Sequence, residues 1–169
     1  MAPDTMKDNE THIREVKHDE TLLISSIIRD SFHNVAERFN LTSQNCPKHP
    51  SNCTEEWIKK DFARGVLYYI VENDSIPVGC VALEKANPDL FYLERLAVLP
   101  KNRQNGFGKT LVNHVLTIAR DAGSKKIGIG IISEQTELKQ WYQRIGFIEG
   151  ETKEFSHLPF LVSFMSYEL

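Results

Sequence analysis

The sequence has little cysteine, no excess of basic residues and no long hydrophobic run. Its three cysteines, Cys46, Cys53 and Cys80, form neither an even set nor paired C-x-x-C motifs, which favours reduced thiols over a disulfide scaffold. A net charge of -3 argues against nucleic acid as a partner. We expect no membrane partner and a cytoplasmic location, because no run reaches membrane-spanning length and the first residues do not resemble a secretory signal.

The remaining composition is typical of a globular protein. Hydrophobic residues make up 41% and charged residues 25% of the 169 positions. A chain of this length is most simply one domain. We therefore predict a flexible tail at 1–10 and a single domain at 11–169.

Hydrophobic periodicity and turn residues divide the chain into strands and helices. They predict a strand at 11–17, a helix at 19–38, a loop at 40–53, a helix at 54–64, strands at 66–72, 76–84 and 91–99, a helix at 106–122 that ends at Gly123, a strand at 125–132, a helix from a capping Ser133 to Ile145, and strands at 147–155 and 159–168. Short connections between the middle strands favour antiparallel pairing. This order predicts a mixed α/β arrangement with one central twisted sheet.

The stretch RQNGFG at 103–108 separates a predicted strand from a predicted helix. A helix N-terminus presents unpaired amides and the positive end of the macrodipole, and glycines let the backbone approach an anion closely. With Arg103 and Lys109 the stretch is a plausible pyrophosphate site. It is not a P-loop, which needs glycine where Arg103 stands, nor a dinucleotide fingerprint, whose third glycine would fall on Leu111.

The spacing Arg103-x-x-Gly106-x-Gly108 is similar to the acetyl-CoA signature Q/R-x-x-G-x-G/A of the GNAT acetyltransferase superfamily. The resemblance continues upstream in LERLAVLP, similar to the family's fourth strand, and downstream in WYQRIGF, similar to its late helix and turn. It covers about Thr11 to Leu169. It implies a GNAT fold of the α/β (α+β) class: a central mixed, mostly antiparallel twisted sheet of about seven strands, flanked by about four helices, with splayed fourth and fifth strands.

The resemblance also implies acetyl-CoA as donor and a set of residues that bind it. The fourth strand would pair with the pantetheine arm and the loop and helix would hold the pyrophosphate, while Gln135 stands where the family often has asparagine. The implied cofactor-binding residues are Leu96, Ala97, Val98, Arg103, Gln104, Asn105, Gly106, Phe107, Gly108, Lys109 and Gln135.

Glu94 is the candidate general base. Side chains alternate along a strand, so Tyr92, Glu94, Leu96 and Val98 are expected to share one face unless a bulge intervenes. Family members often carry a base or proton relay at positions matching Tyr92 and Glu94. A carboxylate with an ordinary pKa matches an amine poorly, so action through water after partial desolvation is expected. The alternative is a surface carboxylate paired with Arg95 or a neighbouring strand.

Tyr142 matches the tyrosine that protonates the departing CoA thiolate in the family. A phenol can donate to a thiolate when the site is arranged for it. The alternative is simple packing, since Tyr142 shares an amphipathic stripe with Leu138 and Trp141. Gly128 and Gly130 likewise either leave room for a ligand or allow close packing against a helix.

Cys46, His49 and Cys53 raise the possibility of a metal site, but their spacing is unlike established zinc patterns and a fourth ligand is unassigned. No metal is therefore predicted. No cysteine is placed to carry an acyl group, which favours direct attack by the acceptor in a ternary complex.

Two functions remain open. The first is transfer of an acetyl group from acetyl-CoA to a primary amine of a small molecule, protein or peptide. The second is a noncatalytic acyl-CoA-binding sensor or interaction module. The sequence does not identify the acceptor or exclude a larger acyl donor, and its edge strands allow a homodimer.

Overall fold

A seven-stranded sheet in the order β1-β2-β3-β4-β5-β7-β6 forms the centre of the computed structural model, which describes residues 10–169. Neighbouring strands are antiparallel except β4 and β5, which are parallel. The strands are β1 (Thr11–Glu15), β2 (Leu67–Asn73), β3 (Ile76–Asn87), β4 (Leu90–Val98), β5 (Lys126–Ile132), β6 (Ile148–Lys153) and β7 (Val162–Glu168). The predicted seven-stranded, mostly antiparallel sheet is confirmed.

Four α-helices cover the two faces of this sheet within residues 10–169. They are α1 (Thr21–Arg38), α2 (Glu55–Ala63), α3 (Phe107–Asp121) and α4 (Thr136–Ile145). On one face, Leu111, Val112 and Val115 of α3 are fully buried against the sheet. On the other face, Ile24 and Ile28 of α1 are fully buried in a separate cluster. We call these the α3–α4 face and the α1–α2 face.

The predicted start of α2 and end of α3 agree with the structure, because their capping residues were identified correctly. Thr54 caps α2 by accepting a hydrogen bond from Trp57 N, and Gly123 follows α3 with φ +84°. The prediction that Ser133 caps α4 is wrong. The helix begins at Thr136, and the Ser133 hydroxyl instead accepts a hydrogen bond from Ser163 at 2.9 Å.

The predicted tail at 1–10 lies outside the described residues except for Glu10. The Glu10 carbonyl accepts a hydrogen bond from Asp74 N at 2.9 Å. The single domain at 11–169 stays a prediction. No helix in residues 10–169 is long and apolar enough to cross a membrane.

A bulge in β4 changes which side chains share a face. Glu94 pairs with Ala82 and Ala97 pairs with Cys80, so β4 has one residue more than β3 between these pairs. Arg95 occupies the bulge with φ +50°, in the left-handed region. The exception that the sequence analysis allowed therefore applies: the bulge separates Tyr92 and Glu94 from Leu96 and Val98. Leu96 and Val98 pack on the α3–α4 face, whereas Glu94 lies on the α1–α2 face with its partner Ala82.

The predicted splay of β4 and β5 is also confirmed. Their pairing runs only from Leu90 with Lys126 to Tyr92 with Gly128, although β4 continues to Val98 and β5 to Ile132. Beyond Tyr92 the two strands separate. The backbone of β4 therefore lines a gap in the sheet.

Gly79 is needed where β3 passes the second half of β4. A Cβ at this position would lie 2.6 Å from the Ala97 carbonyl oxygen, so an added methyl must displace backbone. We expect Gly79→Ala to lower the free energy of unfolding by about 1–3 kcal/mol, the usual cost of overpacking. Urea denaturation measures this loss. Gly130→Ala is the matched control, because its Cβ would make side-chain contacts no shorter than 3.4 Å; equal midpoints for the two variants would contradict the expectation.

Candidate functional site

A cleft of about 550 Å³ lies where β4 separates from β5 and α3 begins. We call it the β4–α3 cleft. Every predicted cofactor-binding residue except Asn105 lines it, namely Leu96, Ala97, Val98, Arg103, Gln104, Gly106, Phe107, Gly108, Lys109 and Gln135. The remaining wall residues were not identified from the sequence: Ser31, Phe32, Val35, Asn102, Glu137, Leu138 and Trp141. Helical periodicity predicts the helices that carry the residues of α1 and α4 in this list. It does not predict that α1 passes over the gap between β4 and β5.

The N-terminus of α3 is shaped to hold an anion. Gly106 is the N-cap with φ +79°, a conformation that glycine adopts without strain. The first backbone hydrogen bond of the helix runs from Thr110 N to Gly106 O, so the amides of Phe107, Gly108 and Lys109 have no helical acceptor. These amides stand at the positive end of the helix dipole, at the cleft.

Gly108 allows α4 to approach this N-terminus. A Cβ on Gly108 would lie 3.3 Å from the indole of Trp141, closer than most side-chain contacts. The indole therefore takes the space that a larger residue at 108 would fill. Together with Leu138 it forms an apolar wall beside the unpaired amides. A ligand with an anionic part and a long, largely apolar arm fits such a cleft.

Arg103 joins three parts of the cleft wall. Its guanidinium donates hydrogen bonds to the Ser31 carbonyl of α1 at 2.5 Å and to the Val98 carbonyl of β4 at 3.2 Å. Asn105, which does not line the cleft, donates from its side chain to the Asn102 and Arg103 carbonyls at 3.1 and 3.2 Å. Asn105 thus holds the loop that carries Arg103, while Lys109 is exposed at the helix start.

Glu94 lies on the α1–α2 face and is not among the cleft-lining residues. It is partly buried, and Glu84 is a near neighbour on the same face of β3. Burial, followed by the interaction with Glu84, raises the pKa of Glu94 to about 7, although Arg95 acts in the opposite direction. A carboxyl group that titrates near neutral pH can exchange protons with water or an amine under physiological conditions.

Tyr142 lies in the core on the α3–α4 face. It is only 4% exposed, and its ring contacts Trp141 and Phe147 with centroid distances of 4.9 and 5.2 Å. Burial raises the pKa of Tyr142, so its hydroxyl keeps its proton at any physiological pH. Tyr142 is not itself a lining residue of the cleft, but its neighbour Trp141 is.

The two glycines of β5 differ in surroundings. A Cβ at Gly128 would lie 3.1 Å from the Tyr92 ring of the neighbouring strand, so Gly128 makes room for that ring rather than for a helix. A Cβ at Gly130 would make ordinary contacts with Val162 and Phe164. Packing against Tyr92 therefore explains the glycine at position 128. Tyr92 is 39% exposed and forms part of the surface beside Glu94.

Cys46, His49 and Cys53 lie in the segment that connects α1 to α2 and are buried, with Cys46 and Cys53 in different core clusters. His49 Nδ1 is 2.7 Å from the Ser51 hydroxyl, and burial lowers the pKa of His49 to about 4. Within residues 10–169, no group of three or more histidine, cysteine, aspartate or glutamate side chains is placed to hold a metal ion. The absence of a metal stays a prediction for the protein as a whole.

A splayed α/β sheet with an anion-binding helix start at the splay defines an acyltransferase of the coenzyme A-dependent kind. The chain belongs to the acetyltransferase (GNAT) family, whose family model matches residues 30–147. It is therefore a GNAT-type N-acetyltransferase. A search of curated protein sequences found no match.

Solved structures share this fold at low sequence identity. PaiA N-acetyltransferase from Thermoplasma acidophilum, in complex with coenzyme A, has a TM-score of 0.78 and 17% identity, with 95% of this chain and 99% of that chain covered. YncA from Salmonella typhimurium, described as a putative acetyltransferase with its cofactor acetyl-CoA, has a TM-score of 0.71 and 17% identity, with 95% of each chain covered. The ribosomal-protein-S18-alanine N-acetyltransferase from Escherichia coli has a TM-score of 0.73 and 13% identity, with 94% of each chain covered.

Proposed function

We propose that this chain transfers the acetyl group of acetyl-CoA to a primary amine of a small molecule, protein or peptide, by direct attack in a ternary complex. The observation that carries the proposal is the β4–α3 cleft, where the separated edge of β4 meets the unpaired amides of α3. The similar structures with coenzyme A and acetyl-CoA support the same donor.

The residues of the cleft fit this donor. The amides of Phe107, Gly108 and Lys109, with the Lys109 ammonium, would hold the pyrophosphate. The Leu96–Val98 backbone would pair with the amides of the pantetheine arm, and Trp141 would contact that arm. The bound thioester supplies an acyl group that an amine can attack. A β4 backbone amide near Val98 would then stabilise negative charge on the acyl oxygen.

Glu94 and Tyr142 would move the protons. Most alkylamines are protonated at neutral pH and must lose a proton before attack. Glu94, with a pKa near 7, would accept that proton, directly or through a water. Tyr142 would donate its proton to the departing thiolate, and its buried hydroxyl is protonated throughout the working pH range. These roles place the acceptor on the α1–α2 face, beside Tyr92 and Glu94.

A coenzyme A release assay tests the proposal. Acetyl-CoA is offered with amines, amino acids, polyamines, aminoglycosides and peptides with free N-termini, and thiol release is followed for the wild type and for Tyr142→Phe. Release that requires one acceptor and falls in the variant is the expected result, and it names the acceptor class. Tight acetyl-CoA binding without acceptor-dependent release across the panel would instead favour an acyl-CoA sensor.

Acetyl-CoA binding should be visible in the fluorescence of Trp141. This indole lines the β4–α3 cleft, whereas the second tryptophan, Trp57, lies on α2 near Arg95. We expect titration with acetyl-CoA to change the emission of the wild type and of Trp57→Phe. The change should be lost in Trp141→Phe. A signal that persists in Trp141→Phe and disappears in Trp57→Phe would place the ligand on the α1–α2 face and contradict the assignment.

Three further statements stay predictions: a cytoplasmic location, activity without a metal, and a homodimer. An exposed edge strand, β6, is available for pairing between two copies. Sedimentation equilibrium measures the oligomeric state. Activity after treatment with a chelator tests the need for a metal.

A further inference from the structure

Arg95 stands at a backbone position where glycine would be expected. Its φ of +50° is uncommon for a residue with a side chain, and holding such a conformation costs free energy. The position is the bulge of β4, between Glu94 on the α1–α2 face and the Leu96–Val98 segment at the cleft. Contacts of the Arg95 side chain must therefore compensate for the backbone conformation.

Those contacts lie on α2 and β2. The Arg95 guanidinium donates hydrogen bonds to the Asp61 carboxylate and to the Tyr68 hydroxyl. Tyr68 in turn donates to Asp61 Oδ2 at 2.5 Å. The ring of Trp57 lies beneath the guanidinium, with 5.6 Å between Arg95 Cζ and the ring centroid. We call Asp61, Tyr68 and Arg95 the bulge anchor.

Asp61 and Tyr68 of the bulge anchor are buried, whereas the Arg95 side chain is 20% exposed. The Asp61 side chain is 6% exposed, and Tyr68 is fully buried. The second oxygen of Asp61 accepts a hydrogen bond from Arg64 at 2.8 Å, so both carboxylate oxygens have cationic partners. Buried, fully paired charges hold one geometry, because moving either partner leaves the other unpaired.

We propose that Arg95 is a positioning residue of the acetyl transfer: its contacts with Asp61 and Tyr68 hold the β4 bulge, which keeps Glu94 on the acceptor side while the Leu96–Val98 backbone faces the β4–α3 cleft. This inference rests on the proposed function, since it concerns the base and the backbone assigned there. A regular strand without the bulge would place Glu94 and Leu96 on the same face. The anchor thus divides the two substrates between the two sides of β4.

The anchor is also electrically coupled to Glu94. The groups that act on Glu94 are Glu84 of β3, Arg95 of β4 itself and Asp61 of α2. Glu84 is in turn paired with Arg64, which follows the last residue of α2. Removing the cation of Arg95 should raise the pKa of Glu94, because the positive charge that lowers this pKa is lost. Removing the charge of Asp61 should lower that pKa, because Arg95 then acts uncompensated.

The test compares Arg95→Gly, Arg95→Lys and Asp61→Asn with the wild type and with Glu94→Gln. Glycine accepts the positive φ, so Arg95→Gly removes the anchor without backbone strain. We expect kcat of Arg95→Gly to fall at least about tenfold at saturating acetyl-CoA, and amide hydrogen exchange at 93–98 to accelerate while other β-strands stay protected. The acid limb of the kcat/KM profile should move to higher pH in Arg95→Gly, to lower pH in Asp61→Asn, and back towards the wild-type position in Arg95→Lys.

The outcomes separate this inference from the proposed function. One outcome is that Glu94→Gln loses the acid limb of its kcat/KM profile, while the Arg95 and Asp61 variants keep the wild-type acid limb and the wild-type rate of amide hydrogen exchange. This result would overturn the role of Arg95 as a positioning residue and leave Glu94 as the base. An acid limb that persists in Glu94→Gln would overturn the assignment of Glu94 as the base. Even then, faster amide hydrogen exchange at 93–98 in Arg95→Gly would support the inference that the bulge anchor stabilises the bulge. If Asp61→Asn does not fold, the comparison of Arg95→Gly with Arg95→Lys decides, because those variants differ in whether residue 95 carries a charge.

Discussion

Tyr142→Phe is expected to lower kcat by about 10²-fold or more, the usual contribution of a general acid, while the Kd for acetyl-CoA stays within about twofold of the wild type. The hydroxyl is lost, but the ring that packs between Trp141 and Phe147 is kept. The effect should therefore fall on the departure of the thiolate and not on donor binding. Steady-state kinetics and the Trp141 fluorescence titration measure the two quantities separately.

Tyr167→Phe is the matched control for this substitution. Tyr167 also contacts Phe147, with a centroid distance of 5.4 Å, and it packs against the same core cluster. It lies on β7 and is not among the residues that line the cleft. Near wild-type turnover in Tyr167→Phe, beside a large loss in Tyr142→Phe, isolates the role of the acid. Equal turnover in Tyr142→Phe and wild type would end that assignment.

The leaving thiol of the acyl donor gives a second test of Tyr142. A leaving thiolate that is less basic needs less help from an acid. An acyl donor with a more acidic thiol should therefore narrow the difference between Tyr142→Phe and the wild type. A constant ratio across donors of different thiol acidity would indicate that the hydroxyl positions the substrates instead.

The order of elements and the cleft residues of β4 and of the start of α3 were predictable because their signals are local in sequence. The RQNGFG stretch carries its own glycines and cation, and the positions of Gly106 and Gly108 follow from the spacing alone. The structure adds the physical reason for each glycine. Gly106 adopts a positive φ, and Gly108 makes room for Trp141.

The bulge was not predictable from the alternation of side chains. A regular strand pattern can be drawn through 91–99, and nothing in the letters of LERLAVLP requires an extra residue. The bulge depends on Asp61 and Tyr68, which are distant in sequence from Arg95 and meet it only after α2 packs on the sheet. Such long-range contacts decide the face on which Glu94 lies.

Partial desolvation of Glu94 was expected from the sequence, but the size of the shift in its pKa was not predictable for the same reason. The sequence shows a glutamate with an ordinary pKa, poorly matched to an amine. Burial on the α1–α2 face and the proximity of Glu84 bring its pKa to about 7. The sequence also showed no sign that Ser31, Phe32 and Val35 of α1 would reach the cleft, because only tertiary packing brings α1 there.

Glu94→Gln is expected to lower kcat/KM by about 10²-fold or more at pH 8 and to remove its acid limb. In the wild type, kcat/KM should rise with pH through about 7, because the base acts when deprotonated. Glu84→Gln is the informative comparison. Glu84→Gln removes a carboxylate that raises the pKa of Glu94. The acid limb of the kcat/KM profile of this variant should therefore move to lower pH without disappearing. An unchanged profile in Glu94→Gln would show that another group, or water alone, takes the proton.

The same substitution should change how stability depends on pH, and this readout requires no acceptor. The folded-state pKa of Glu94, about 7, lies above the value of about 4.3 expected for glutamate in the unfolded chain. Between these values the folded state binds more protons than the unfolded state. The contribution of Glu94 to the free energy of unfolding must then fall as the pH rises from about 4 to about 7.

Glutamine does not titrate, so the Tm of Glu94→Gln relative to that of the wild type should increase across this range and then level off above about pH 7. Thermal melts at half-unit pH intervals measure the difference. A difference that does not vary with pH would show that the pKa of Glu94 is not raised in the folded protein. The predicted result has a functional meaning, because the ionised carboxylate would lower stability at the pH where it serves as a base. A carboxyl group whose ionised, catalytically active form lowers stability, and whose replacement lowers turnover, is explained by its chemistry and not by packing.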